Sequence, residues 1–107
     1  MIDLSKITEF DWDEGNARKN ERHAVSVAEA EEVFFLLPLV LLEDRQHSQE
    51  ESRFHALGVT AAGRRLHVTF TLRRSNTAIR VISARDMSKR ERAIYEYAKQ
   101  GPAEVRE

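Results

Sequence analysis

RRLHVTFTLRRSNTAIRVISARDMSKRERAIYEY, residues 64–97, decides the fold. Leu66, Val68, Phe70 and Leu72 alternate with His67, Thr69, Thr71 and Arg73. That period of two predicts a strand with one buried face. Arg74 to Thr77 interrupts the pattern with the turn formers Ser75 and Asn76. A β-branched run, Ile79, Val81 and Ile82, follows, so the pair reads as an antiparallel hairpin. Ser88 with Glu91 three residues on is a capping box and predicts a helix start. In that helix Ile94, Tyr97 and Ala98 form the stripe expected to face the core. Lys89, Arg90 and Arg92 lie largely off it, and a basic first turn invites an anionic partner.

Upstream, Ile7 to Trp12 is a short strand candidate, and Asp13 is a good N-cap for a polar helix over 14–23. That helix has almost no apolar stripe, so it is expected to cover or decorate the surface. Ser26 and Glu29 form a second capping box, before a helix that buries Val27, Ala30, Val33 and Phe34 and is stopped by Pro38. Leu39 to Glu43 is apolar on both faces and is expected inside the sheet. A polar loop runs over 44–52, and Arg53 to Thr60 alternates as a further strand. The order β-α-α-β-β-β-β-α predicts an α+β domain, an antiparallel meander with helices packed on one face. One domain spans 1–107, with a core over about 7–99 and a frayed tail over 100–107.

The 107 residues carry 33% charged side chains and a formal charge of −1. Residues 1–52 hold 5 Lys/Arg against 13 Asp/Glu, and residues 53–107 hold 12 against 5. A near-neutral total can therefore hide a local positive field. Cysteine is absent, which excludes disulfides and thiolate metal sites and fits a reducing cytoplasm. The acidic start is unlike a signal peptide, and the apolar run over 33–42 is too short to span a membrane. The four histidines show no metal-ligand spacing, and no phosphate loop or serine elbow occurs, so neither metal nor cofactor is expected.

What remains is a set of arginines on strands and loops, Arg53, Arg64, Arg65, Arg73, Arg80 and Arg85, with His47, Glu51, His55 and Tyr95 beside them. Such groups can bind a phosphodiester and offset developing charge. RNA cleavage needs little more, because the 2′-hydroxyl is a nucleophile built into the substrate. Two other readings stay open: a non-catalytic module that docks an acidic partner chain, and a nucleic-acid binder without chemistry.

The chain resembles the BrnT family of ribonuclease toxins from type II toxin–antitoxin systems. The likeness runs through Phe10-Asp11-Trp12-Asp13, Asn20-x-Arg22-His23-Ala24-Val25-Ser26 and Glu29-Ala30. It continues through Val33-Phe34, Asp44-x-x-His47-Ser48, Glu51-x-Arg53-Phe54 and Leu57-Gly58. It closes with Phe70-Thr71-Leu72-Arg73, Ile82-Ser83-Ala84-Arg85, Arg90-Glu91-Arg92 and Tyr95-Glu96. The resemblance implies a RelE-like architecture, RNA cleavage that inhibits translation, and a hetero-oligomer with a cognate BrnA-type antitoxin. On this reading Arg53, Arg73 and Arg85 act on phosphate, while His47, Glu51 and Tyr95 supply proton transfer. Arg22, His23, Arg64, Lys89 and Arg90 are the expected RNA-binding residues. Three positions depart from the family pattern: Asn16 for lysine, Ala24 for glycine and Ser52 for glutamate. The first is expected to remove a cation from RNA binding near Trp12.

Overall fold

In the computed structural model, residues 2–46 and 51–100 are described. His47 and the tail beyond Gln100 lie outside them. The strands are β1 (Glu9–Phe10), β2 (Val40–Asp44), β3 (Arg53–Val59), β4 (Arg65–Arg73) and β5 (Ala78–Asp86). The helices are α1 (Glu14–Glu21), α2 (Val27–Glu32) and α3 (Lys89–Gln100). The α+β class and the β2-β3-β4-β5 antiparallel meander are as expected, in the spatial order β1-β5-β4-β3-β2.

The sheet is nevertheless mixed, because β1 pairs parallel to β5, with Glu9 opposite Ala78 and Phe10 opposite Ile79. A connection containing two helices separates β1 from the meander, so no hairpin constrains its direction. β2 is an edge strand and not an interior one. Its apolar run leaves Leu42 46% exposed; continuous hydrophobicity did not mean burial on both sides. β4 departs the other way, being buried from Leu66 through Thr71 on both faces.

Both faces are covered because the helices divide between them. Ala30 and Val33 at α2 pack with Ala56, Val68, Phe70, Val81 and Ala84 into the main core. Gly58 lets α2 approach closely, since a Cβ there would lie 2.9 Å from the Val33 Cβ. On the opposite face, by strand alternation, Leu57 packs with Met87 and Tyr95 of the α3 segment. In α3 the inward residue is therefore Tyr95, while Ile94 and Tyr97 of the expected core stripe are exposed.

All three helices begin in reciprocal capping boxes. Ser26 and Glu29 exchange bonds of 3.0 and 2.9 Å, and Ser88 and Glu91 exchange bonds of 3.1 and 2.9 Å. The third box joins Asp13 to Asn16. Asn16 is buried, and its amide also donates to the carbonyls of Asp11 and Val81 at 3.0 Å each. Its position is structural, which corrects the picture of α1 as a merely superficial helix. Asn20 is fully buried in the same helix, and its amide has no hydrogen-bond partner among the described residues.

Candidate functional site

Cross-strand partners share a sheet face. The register therefore places Asp44, Arg53, Thr71 and Arg80 in one row and His55, Thr69 and Ser83 in the next. Leu57, His67 and Arg85 form a third row. A polar face results, opposite the main core. Arg53, Arg73 and Arg85 all belong to it, but Arg85 stands about 13 Å along the strands from Arg53, at about 3.3 Å per residue. The three share a face and do not form one tight cluster. α3 covers the Leu57 end, and Arg53 and His55 are only half-buried.

The arginines differ in what they hold. Arg85 makes two bonds to Glu91, of 2.8 and 2.9 Å. Those bonds, with the Ser88 N–H, hold the Glu91 carboxyl down at about 2 against the opposing effect of burial. Arg64 donates to Asp86 at 2.7 Å, to Glu29 at 3.3 Å, and to the carbonyls of Ala24 and His23. Its guanidinium is accordingly held more firmly protonated, chiefly by Asp86. Arg80 is bound to Asp11 and Asp13, at 3.5 and 2.9 Å. Arg85 and Arg64 are thus clamps within the fold, which corrects the expectation that both present open charge. Arg73 meets Glu51 at 3.2 Å, with 42% and 44% of the two side chains exposed, so that pair can exchange partners with an incoming anion.

Arg64 has an organising effect of its own. It ties the end of α1 to the end of β5, and so brings Arg22 and His23 to the corner where Lys89 and Arg90 begin α3. Arg22, His23, Lys89 and Arg90 are all exposed. The predicted RNA-binding set therefore gathers at one corner, with Arg64 as its internal tie.

Tyr95 is not available for proton transfer at a phosphate. Its side chain is 2% exposed, and its hydroxyl donates to the Pro38 carbonyl at 2.7 Å. Burial, and secondarily Glu96, pushes the phenol up from its ordinary value. The sheltered titratable groups on the polar face are instead histidines, His55 half-buried and His67 buried. The His55 and His67 rings lie 4.8 Å apart, centroid to centroid. His55 Nε2 is 2.9 Å from Asp44 Oδ2, and Nδ1 is 3.0 Å from Thr69 Oγ1. His67 is driven down to about 4 by burial, with the charges of Arg85 and His55 adding to the effect and Glu91 opposing it. Its Nδ1 has no hydrogen-bond partner among the described residues.

A cleft of about 760 Å³ opens at the Glu51 end of the sheet and includes Thr71 and Lys6. Among the described residues, Glu51 is the only predicted site residue in its wall. The chemistry-bearing groups lie on the open polar face and not in an enclosed pocket. No group of three or more potential metal-ligating side chains gathers among the described residues. No helix among the described residues is long and apolar enough to cross a membrane.

A family model described as the ribonuclease toxin BrnT of type II toxin–antitoxin systems matches residues 12–91. The chain belongs to the BrnT family. A search of curated proteins finds no match to it. The family is one of ribonuclease toxins, and a toxin of type II implies an antitoxin partner. The BrnT match runs from Trp12, whose indole donates to Glu31 at 2.7 Å, to Glu91. It spans the polar face and stops short of Tyr95.

Proposed function

We propose that this BrnT-family chain is a metal-independent endoribonuclease of RelE-like architecture that cuts RNA in the cytoplasm and so inhibits translation. A BrnA-type antitoxin neutralises it in a hetero-oligomer. The observation that carries this reading is the half-open polar face within the family match, where Arg53 and Arg73 stand one diagonal step apart. Arg73 releases Glu51 to take a phosphate, and Arg53 binds beside it. The exposed corner of Arg22, His23, Lys89 and Arg90 guides the backbone toward that face. Arg85 acts indirectly, by holding α3 through Glu91.

The test is incubation of purified protein with single-stranded RNA of mixed sequence, over a range of salt. Cleavage that weakens with salt, and falls at least tenfold in Arg53→Ala and Arg73→Ala, supports the proposal. Growth arrest on expression, relieved by a co-expressed antitoxin, supports the cellular role. A folded protein that leaves RNA intact overturns the ribonuclease reading. The engagement of Arg64 and Arg85 with internal carboxylates favours the second reading in that event, a binding module without turnover.

A further inference from the structure

We infer that His55 is the general base of the polar face, oriented by Asp44, and that it removes the 2′-hydroxyl proton of a bound RNA strand. The inference rests on the ribonuclease reading and names the group that the reading lacks. Of the expected proton-transfer groups, Tyr95 is committed to Pro38, Glu51 is an exposed carboxylate that no second side chain orients once Arg73 takes the phosphate, and His47 lies outside the described residues.

Geometry selects His55. Its Nε2 faces a carboxylate, which can only accept, so the neutral ring carries its proton there. Nδ1 then has the free lone pair and accepts from the Thr69 hydroxyl at 3.0 Å. The two partners together fix one tautomer and one ring orientation. In the reacting complex a substrate hydroxyl takes the place of the Thr69 hydroxyl at Nδ1. The Asp44 side chain is 11% exposed and that of His55 26%, so the carboxylate is sheltered while part of the imidazole meets solvent. His55 lies one strand step from Arg53, between it and the row of Arg85. An apolar pair would serve a purely structural role at least as well, since partly burying a carboxylate is costly.

The step balances without a co-reactant beyond water. The 2′-hydroxyl proton passes to His55 Nδ1, and the 2′-oxygen bonds to phosphorus. The bond from phosphorus to the 5′-oxygen breaks, giving a 2′,3′-cyclic phosphate. The departing 5′-oxygen takes a proton from water, and the imidazolium returns its own to solvent. Arg53 and Arg73 offset the charge on the phosphoryl oxygens, and Asp44 stabilises the imidazolium as it forms. The charged or titratable groups on the elements around this ring are Asp44 on β2, Arg53 one strand step away on β3 and His67 on β4, with Arg85 on β5 and Glu91 on α3 beyond His67.

The experiment compares the full wild-type chain with His55→Gln and His55→Ala on a single-stranded RNA oligonucleotide across pH 5–9. Both variants should lose about 10²–10⁴-fold in kcat with little change in KM. The pH dependence on the basic group should vanish in both, and added imidazole should restore part of the rate in His55→Ala. In the wild type, the rise of kcat/KM with pH on the acid side should coincide with the His55 titration followed by NMR, since a general base acts in its deprotonated form. That last measurement decides the matter even if neither variant folds. Folded variants that cleave within threefold of wild type with an unchanged pH profile overturn the role of His55 and leave the ribonuclease reading standing. A kinetic limb that does not match the His55 titration does the same. A wild-type chain that cleaves no RNA overturns both.

Discussion

Glu91 receives both guanidinium nitrogens of Arg85 and, with the same carboxylate, caps the first turn of α3 through the Ser88 N–H. One side chain therefore fixes a strand to the helix that covers it. Removing it breaks the clamp and the cap together. Glu91→Ala should destabilise the fold by about 1–3 kcal/mol, and Arg85→Ala by less, since more of the guanidinium remains in water. Chemical unfolding measures both. If Arg85→Ala instead abolishes cleavage with unchanged stability, Arg85 acts on RNA directly.

The pH dependence of stability has two separate sources on the polar face. Glu91 is held below its ordinary value of 4.5, at about 2. Its contribution is full above 4.5 and is lost as pH falls toward 2. His67 is lowered from 6.5 to about 4, so the unfolded chain takes up that proton first. Stability is therefore unaffected above 6.5 and declines between 6.5 and 4. His67→Leu should flatten that upper window and leave the lower one intact. Unfolding free energies at a series of pH values check this, and an unchanged slope above pH 4 would show that other groups set the acid limb.

Ala24 sits in the left-handed region, with φ 55°, where α1 ends and Val25 N–H returns to the Asn20 carbonyl. A Cβ is strained in that conformation, and glycine is not. Ala24→Gly should stabilise the protein by about 0.5–1 kcal/mol and raise Tm by a few degrees, after the entropic cost of glycine. A scan that shows Tm unchanged or lowered would mean that the turn relaxes around alanine without cost. The residue at this position bears on stability; nothing in its geometry touches the polar face.

Much of this was legible in the sequence. The two Ser/Glu boxes, the hairpin at Arg74 to Thr77 and the arginines on strands were readable because each is a local pattern with its own physical cause. Long-range relations were not. Nothing near Glu9 signals that β1 joins β5 in parallel, because that pairing is set by packing across the whole chain. The alternation of β4 hid its second buried side, since His67, Thr69 and Thr71 are polar residues sheltered by neighbours that only the fold supplies. His55 was visible as one of several candidates, but its tie to Asp44 depends on the β2–β3 register. The arginine partners were equally hidden: Arg64 finds Glu29 and Asp86 across 35 and 22 residues of sequence.

The exposed corner offers a test that separates steering from chemistry. Arg22, Lys89 and Arg90 are solvent-exposed and lie apart from the Arg53–His55 end of the face. Replacing all three with alanine removes three cations without breaking an ion pair assigned above. If each contacts one phosphate of a single strand, the slope of log affinity against log salt should shrink by about 2. KM should rise at moderate salt while kcat changes little, because these groups act equally on bound RNA and on the transition state. Fluorescence anisotropy with a labelled oligonucleotide gives the slope, and steady-state cleavage gives the split. A fall in kcat with KM unchanged would place the corner in the reacting centre, and an unaltered slope would remove it from the RNA path.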